Sequence, residues 1–193
     1  MKTIKYTKMD KQKVIDKMIS GGIVAFPTDT VFGLACIEQK EAINKIYEAK
    51  QRDFNKALPM MCSSKEMIKS VALVNDNAEK IIDAFMPGAL TIVLNRNDND
   101  STIAIRMPDD DWILDLINTM NMPIMVTSAN VSNEGSLLKW KDVYSSMKNR
   151  IDGIVTADAR GETASTIIDL SNDDIKILRE GPISLDEIMG VLK

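Results

Sequence analysis

Strand-length apolar runs alternate with helix-period stripes along almost the whole chain, and this alternation limits the fold more than any single motif does. Val14, Ile15, Met18 and Ile19 form a helical stripe within residues 10–20, and Gly21-Gly22 ends it. Ile23-Val24-Ala25-Phe26 then reads as a buried strand. A second helix carries Ala42, Ile43, Ile46 and Tyr47 and runs to Lys50. Ser63, with Glu66 three residues on, has the form of a capping box and opens a third helix. Asn75–Phe85 is a fourth, stopped by Pro87-Gly88. Ala89–Asn95 and Thr102–Arg106 read as strands separated by the turn-rich segment NRNDNDS. A helix over 110–119 precedes the strand Pro123–Thr127. A helix over 139–147 precedes strands at 151–155, 166–170 and 175–179, and a helix over 184–191 follows. This order predicts an α/β fold. The last two strands, joined by SNDD, predict an antiparallel hairpin, so the sheet should be mixed.

Composition narrows the chemistry. At 193 residues, with 45% apolar and 27% charged residues, the chain can bury a real core and is expected to form a single domain over 1–193. A formal charge of -4 lacks the global field of a general nucleic-acid coater, although it leaves room for a local basic pocket. No run of 18 apolar residues predicts a membrane span, and the polar start MKTIKYTKMDKQK lacks a signal-peptide core. Cys36 and Cys62 are too few for a disulfide framework or a four-thiolate zinc site, and read as buried free thiols in a cytoplasmic protein. There is no histidine, which removes Ser-His-Asp and Cys-His catalysis and every histidine-dependent zinc site.

Five polar clusters interrupt the apolar pattern, most of them at strand ends, where α/β folds bind ligands. Pro27–Leu34 (PTDTVFGL) places two hydroxyls and a carboxylate on a turn; it reads either as a small polar site or as a turn that caps its own backbone. Lys50-Gln51-Arg52-Asp53-Phe54-Asn55-Lys56 gathers three cations suited to a polyphosphate, or simply to a helix C-terminus. Thr127–Asn133 (TSANVSN) offers small hydroxyls and amides. Thr102 and Arg106 share one face of a strand, where a buried arginine calls for an anion. Ser165-Thr166 is followed by Arg179 in the neighbouring strand. No Walker loop and no Gly-x-Gly-x-x-Gly is present. Cations and hydroxyls without an acid–base pair fit phosphoryl or nucleotidyl chemistry, which rests on positioning and charge neutralisation.

Taken in order, PTDTVFGLA, KQR with Lys56, PGALTIVL, IAIRMP, TSANVS, STIIDL and ILREG resemble the YrdC/Sua5 family over roughly residues 10–190. That family makes L-threonylcarbamoyladenylate for the modification of adenosine 37 in certain tRNAs. The resemblance implies a YrdC-like twisted mixed sheet, mostly parallel, with flanking helices and a concave basic cavity. It implies ATP, L-threonine and bicarbonate as substrates, with Mg²⁺ held mainly by the nucleotide. Downstream it implies a tRNA threonylcarbamoyl-transferase machinery, with weak or no direct tRNA binding.

The family's Lys-x-Arg and Ser-x-Asn signatures fall on Lys50, Arg52, Ser128 and Asn130, which the resemblance makes catalytic. Its ATP-contacting positions fall on Arg52, Lys56, Thr102, Ser128, Ser136 and Arg179. Its threonine-binding positions fall on Thr28 or Thr30, Met61, Arg106, Val126 (through its backbone) and Ser165. Three departures stand out. Lys56-Ala57-Leu58-Pro59 replaces Lys-Pro-Leu; Asp110 and Met61 stand where many members carry histidines; and Ser132 is followed by Asn133 rather than glycine. Two other readings are a YciO-like paralogue of different activity and a non-enzymatic double-stranded-RNA or tRNA-binding module.

Overall fold

The computed structural model describes residues 2–132, 134–172 and 174–193. Ten strands form one sheet: β1 (Ile4–Tyr6), β2 (Val24–Phe26), β3 (Gly33–Ile37), β4 (Met60–Met61), β5 (Leu90–Asn95), β6 (Thr102–Arg106), β7 (Ile124–Ser128), β8 (Gly153–Val155), β9 (Thr166–Asp169) and β10 (Lys176–Arg179). Their spatial order is β1-β8-β2-β3-β7-β4-β6-β5-β9-β10. The helices are α1 (Lys11–Ile19), α2 (Lys40–Lys50), α3 (Lys65–Val71), α4 (Asp76–Phe85), α5 (Asp111–Met120), α6 (Trp140–Met147) and α7 (Leu185–Leu192).

The sheet is mixed, as expected, but it is not mostly parallel. β1–β8, β2–β8, β4–β6 and β5–β9 pair in parallel, whereas β2–β3, β3–β7, β4–β7, β5–β6 and β9–β10 are antiparallel. The difference comes from β3 and β4, which the apolar pattern hid. β3 is the all-buried run Gly33-Leu34-Ala35-Cys36-Ile37, whose glycine and alanine have low strand propensity. Pairing on both sides, with β2 and β7, makes it a strand. β4 has two residues and is defined only by its partners β6 and β7.

Core packing follows the helical stripes. Val14, Ile15 and Met18 of α1 are buried, as are Ala42, Ile46 and Tyr47 of α2, and both helices lie against β3. Cys36 and Cys62 are both free and buried, and burial pushes each thiol up to about 12. Gly21 adopts φ +78° just after α1, a conformation that ends the helix at little cost only for glycine. No described helix is long and apolar enough to cross a membrane.

The cap of α3 is one residue later than its sequence suggests. Ser64 is the N-cap, and its side chain accepts from Met67 N. Ser63 turns away and donates to Asn118 Oδ1 at 2.6 Å. Ser64→Ala should therefore cost about 1 kcal/mol in a denaturant titration. Ser63→Ala, which removes an exposed bond to Asn118 and a long contact to Met67 Sδ, should cost less than half of that.

Candidate functional site

Strands from both halves of the sheet face one cavity of about 340 Å³. The alternation of strand side chains selects the lining: Thr91 and Val93 from β5, Ala104 and Arg106 from β6, Val126 and Ser128 from β7. The turn after β2 adds Thr28 and Thr30, and β4 adds Met61. The loop after α2 brings Arg52, the segment after β7 brings Ser136, and Ser165 and Arg179 close the far side. Gly33 matters here because a Cβ would lie 2.9 Å from Val126 Cγ1 and 3.3 Å from Thr28 Cγ2.

Ten of the residues singled out from sequence thus line a single cavity, although they come from distant parts of the chain. Lys50, Lys56, Asn130 and Thr102 do not line it. Thr102 is exposed at the start of β6, two residues beyond Ala104, where the cavity ends. Lys56 is exposed, and its main-chain carbonyl accepts from Tyr47 Oη and Arg52 Nε.

Arg106 is 4% exposed and already has an anion. Its Nη2 donates to Asp29 Oδ2 at 2.6 Å, its Nη1 to Thr30 Oγ1 at 2.6 Å and its Nε to Gly88 O at 2.9 Å. Asp29 Oδ2 also accepts from Asp109 N at 3.0 Å, while Asp29 Oδ1 is buried with no partner among the described residues. Burial raises the Asp29 carboxyl above its ordinary range, and Arg106 and the Asp109 amide offset this only in part. Burial likewise lowers Arg106, and the nearby Arg179 adds repulsion.

In the sequence Asp29 stands in a polar turn with no partner in sight. Its buried ion pair with Arg106 spans 77 positions and only the fold creates it. The turn also caps itself, as one sequence reading held: Thr28 Oγ1 donates to Val31 O and accepts from Thr30 N. Gly161 packs so closely on this turn that a Cβ would sit 2.5 Å from Asp29 O and Thr30 Cα.

Arg179 reaches across to the other polar cluster. Its Nε donates to Ser165 O at 2.9 Å and its Nη2 to Ser165 Oγ at 3.1 Å, and Ser165 Oγ lies 2.8 Å from Thr91 Oγ1. Thr166 faces elsewhere and donates to Ile183 O. Arg52 folds over the Lys56 and Ala57 carbonyls, at 3.2 and 3.0 Å, and half-burial lowers its basicity. The lining therefore carries three arginines and no carboxylate, with Asp29 countering Arg106 from behind.

The Ser128–Ser132 loop is tied down from inside the protein. Lys50 Nζ donates to Ser128 O and, at 2.7 Å, to Asn130 O. Asn130 Nδ2 donates to Val131 O at 2.9 Å and Glu134 O at 2.7 Å, and its Oδ1 is buried without a partner among the described residues. Asn133, one of the departures from the family pattern, lies outside the described residues. So does Asp173, between β9 and β10 in the sequence. Asp110, another departure, is the N-cap of α5, accepting from Trp112 N and Ile113 N. It does not line the cavity.

Among the described residues no three His, Cys, Asp or Glu side chains cluster as a metal site, and the cavity lining offers hydroxyls and main-chain groups but no carboxylate. That donor set does not make a protein cage for Mg²⁺.

The family described as telomere recombination, comprising Sua5, YciO and YrdC, matches residues 16–181. A Methanocaldococcus jannaschii protein provisionally named threonylcarbamoyl-AMP synthase is 32% identical over 200 residues, covering 97% of this chain and 95% of that protein. The threonylcarbamoyl-AMP synthase of Bacillus subtilis is 34% identical over 182 residues, and the match covers 88% of this chain but only 53% of the longer protein. Pyrococcus abyssi Sua5 complexed with L-threonine superposes with a TM-score of 0.88 at 31% identity, over 98% of this chain and 60% of that one. Escherichia coli YciO, at 20% identity and a TM-score of 0.81, shares the fold. By its matched residues and its relatives above 30% identity, the chain belongs to the Sua5/YciO/YrdC family.

Proposed function

We propose that this protein is an L-threonylcarbamoyladenylate synthase, a nucleotidyltransferase that forms threonylcarbamoyl-AMP and pyrophosphate from L-threonine, bicarbonate and ATP. One observation carries the reading: Arg52, Ser128, Ser136 and Arg179 share a single cavity with Thr28, Thr30, Met61, Arg106, Val126 and Ser165. The first group suits a triphosphate and the second an amino acid, so both substrates meet at one wall. The names of the relatives, and the bound L-threonine of the Pyrococcus protein, support the same assignment.

In this reading the threonine amine and bicarbonate first condense to a carbamate: the N–C bond forms, and the amine proton leaves with a bicarbonate oxygen as water. A carbamate oxygen then attacks the α-phosphorus, the bond to the β-phosphate bridging oxygen breaks, and pyrophosphate leaves with the electron pair. Arg52 and Arg179 neutralise the charge that gathers on the leaving group, by fork-shaped donation to phosphate oxygens. Ser128 orients the reacting oxygens. The two N–H groups of Arg106 that have no partner among the described residues face the threonine carboxylate, while Asp29 fixes the plane of the guanidinium. Any Mg²⁺ would have to be held by the nucleotide's phosphate oxygens, since the lining offers no carboxylate. The product passes to a tRNA threonylcarbamoyl-transferase machinery, and direct tRNA binding is not required of this chain.

Pyrophosphate release should need threonine and bicarbonate together with ATP. Arg52→Ala should lower turnover by about 100-fold, the usual loss when a preorganised charged donor is removed. Release that proceeds equally without threonine would refute the assignment and favour the YciO-like alternative.

A further inference from the structure

Lys50 combines three features that a phosphate-gripping lysine does not show together. It is 1% exposed, although it ends a helix next to the cavity. It is absent from the cavity lining. Its ammonium is aimed at two main-chain carbonyls, those of Ser128 and Asn130.

The same residue grips the loop a third time through its backbone, because Ser132 N donates to Lys50 O at 2.8 Å. The loop's opposite side is held by Ala129 N, which donates to Phe32 O at 2.7 Å, and by the Asn130 amide. Ser128 lies within this grip and lines the cavity directly, in register with Gly33 across the β3–β7 pairing. An ammonium that points two of its three N–H donors at carbonyls inside the protein does not present them to a ligand in the cavity. Its effect passes to the cavity through the position of Ser128.

We infer that Lys50 is a positioning residue: it holds the Ser128–Ser132 loop against the cavity wall through two main-chain carbonyls and does not itself touch the substrate phosphates. The inference rests on the proposed function for its kinetic consequence, but not for its structural one. A loop pinned by two bonds from one buried Nζ should exchange its amide hydrogens slowly. Losing the pin should misplace Ser128 by a fraction of the distance that matters for an in-line attack, which lowers turnover more than nucleotide affinity.

Three measurements test it together. In wild-type protein without ligand, an acetylating reagent should modify exposed Lys56 and leave Lys50 untouched. In Lys50→Met, hydrogen exchange over residues 126–132 should rise about 10-fold or more, with the rest of the sheet unchanged. In pyrophosphate release the same variant should lose roughly 10- to 100-fold in kcat while KM for ATP stays within about 2-fold. Lys50→Gln, which keeps two N–H donors, should fall between wild type and Lys50→Met.

Ready acetylation of Lys50 without ligand, with protection by ATP, would overturn the inference. So would unchanged exchange over 126–132 in either variant, or a rise in KM for ATP that matches the loss in turnover. If wild-type protein releases no pyrophosphate, the functional reading fails, yet labelling and exchange still decide the role of Lys50. Should Lys50→Met fail to fold, Lys50→Gln and the wild-type labelling carry the decision.

Discussion

Arg106→Met should destabilise the protein by about 3–5 kcal/mol at neutral pH, the cost of stripping one partner from a buried ion pair. The arginine is 4% exposed, and its loss leaves Asp29 with one accepting bond, from Asp109 N, and no cation. The carboxyl, already raised by burial, must then rise further. A group whose folded value lies above its unfolded value stabilises only below the unfolded value, and that contribution disappears as pH climbs through the folded one. The deficit of Arg106→Met against wild type should therefore be smaller near pH 4 than at pH 7. Adding Asp29→Asn should recover part of it, because the neutral amide needs no counter-ion. Chemical denaturation at both pH values, as a double-mutant cycle, reads all three effects. An additive cycle would show that the pair is not the unit of stability described here.

The second large effect belongs to Lys50. Burial first, and Arg52 next, lower its ammonium to about 7 from the ordinary 10.5, while the two carbonyls favour the charged form. Between those two values the unfolded chain binds more protons at this position than the folded one, so stability rises with pH across the window. Below pH 7 both states are charged and that contribution is gone. Relative to Lys50→Met, wild type should gain on the order of 4 kcal/mol between pH 7 and pH 10.5. The comparison must be made between the two proteins, because Cys36 and Cys62 act in the opposite direction: both thiols ionise more readily once unfolded. Parallel stability profiles for the two proteins would mean that Lys50 stays fully charged in the fold.

Local pattern made much of this architecture readable. Helices α1, α2, α4, α5, α6 and α7 follow apolar stripes, with side-chain N-caps at α4, α5 and α7, and β5, β6 and β7 follow apolar runs, so short-range chemistry was enough to find them. Strands β1, β3 and β4 escaped. β3 and β4 carry weak intrinsic preference and β1 is only three residues long with one buried side chain, so distant partners define all three. The excess of antiparallel pairs follows from the same cause, since an unseen β3 hides two of them.

The motifs along the chain contain ten of the residues that line the cavity, because polar clusters at strand ends stand out against the apolar pattern. They could not tell which polar side chains face it. Arg52, Arg106 and Arg179 turn toward the cavity, Lys50 turns its ammonium inward to two carbonyls, and Asn130 braces its own loop. Thr102 shares the strand parity of Arg106 but lies past the end of the cavity. The direction of a side chain depends on strand pairing and on which polar groups burial leaves needing partners, and for Arg106 and Lys50 the deciding partners, Asp29, Ser128 and Asn130, lie 77, 78 and 80 positions away.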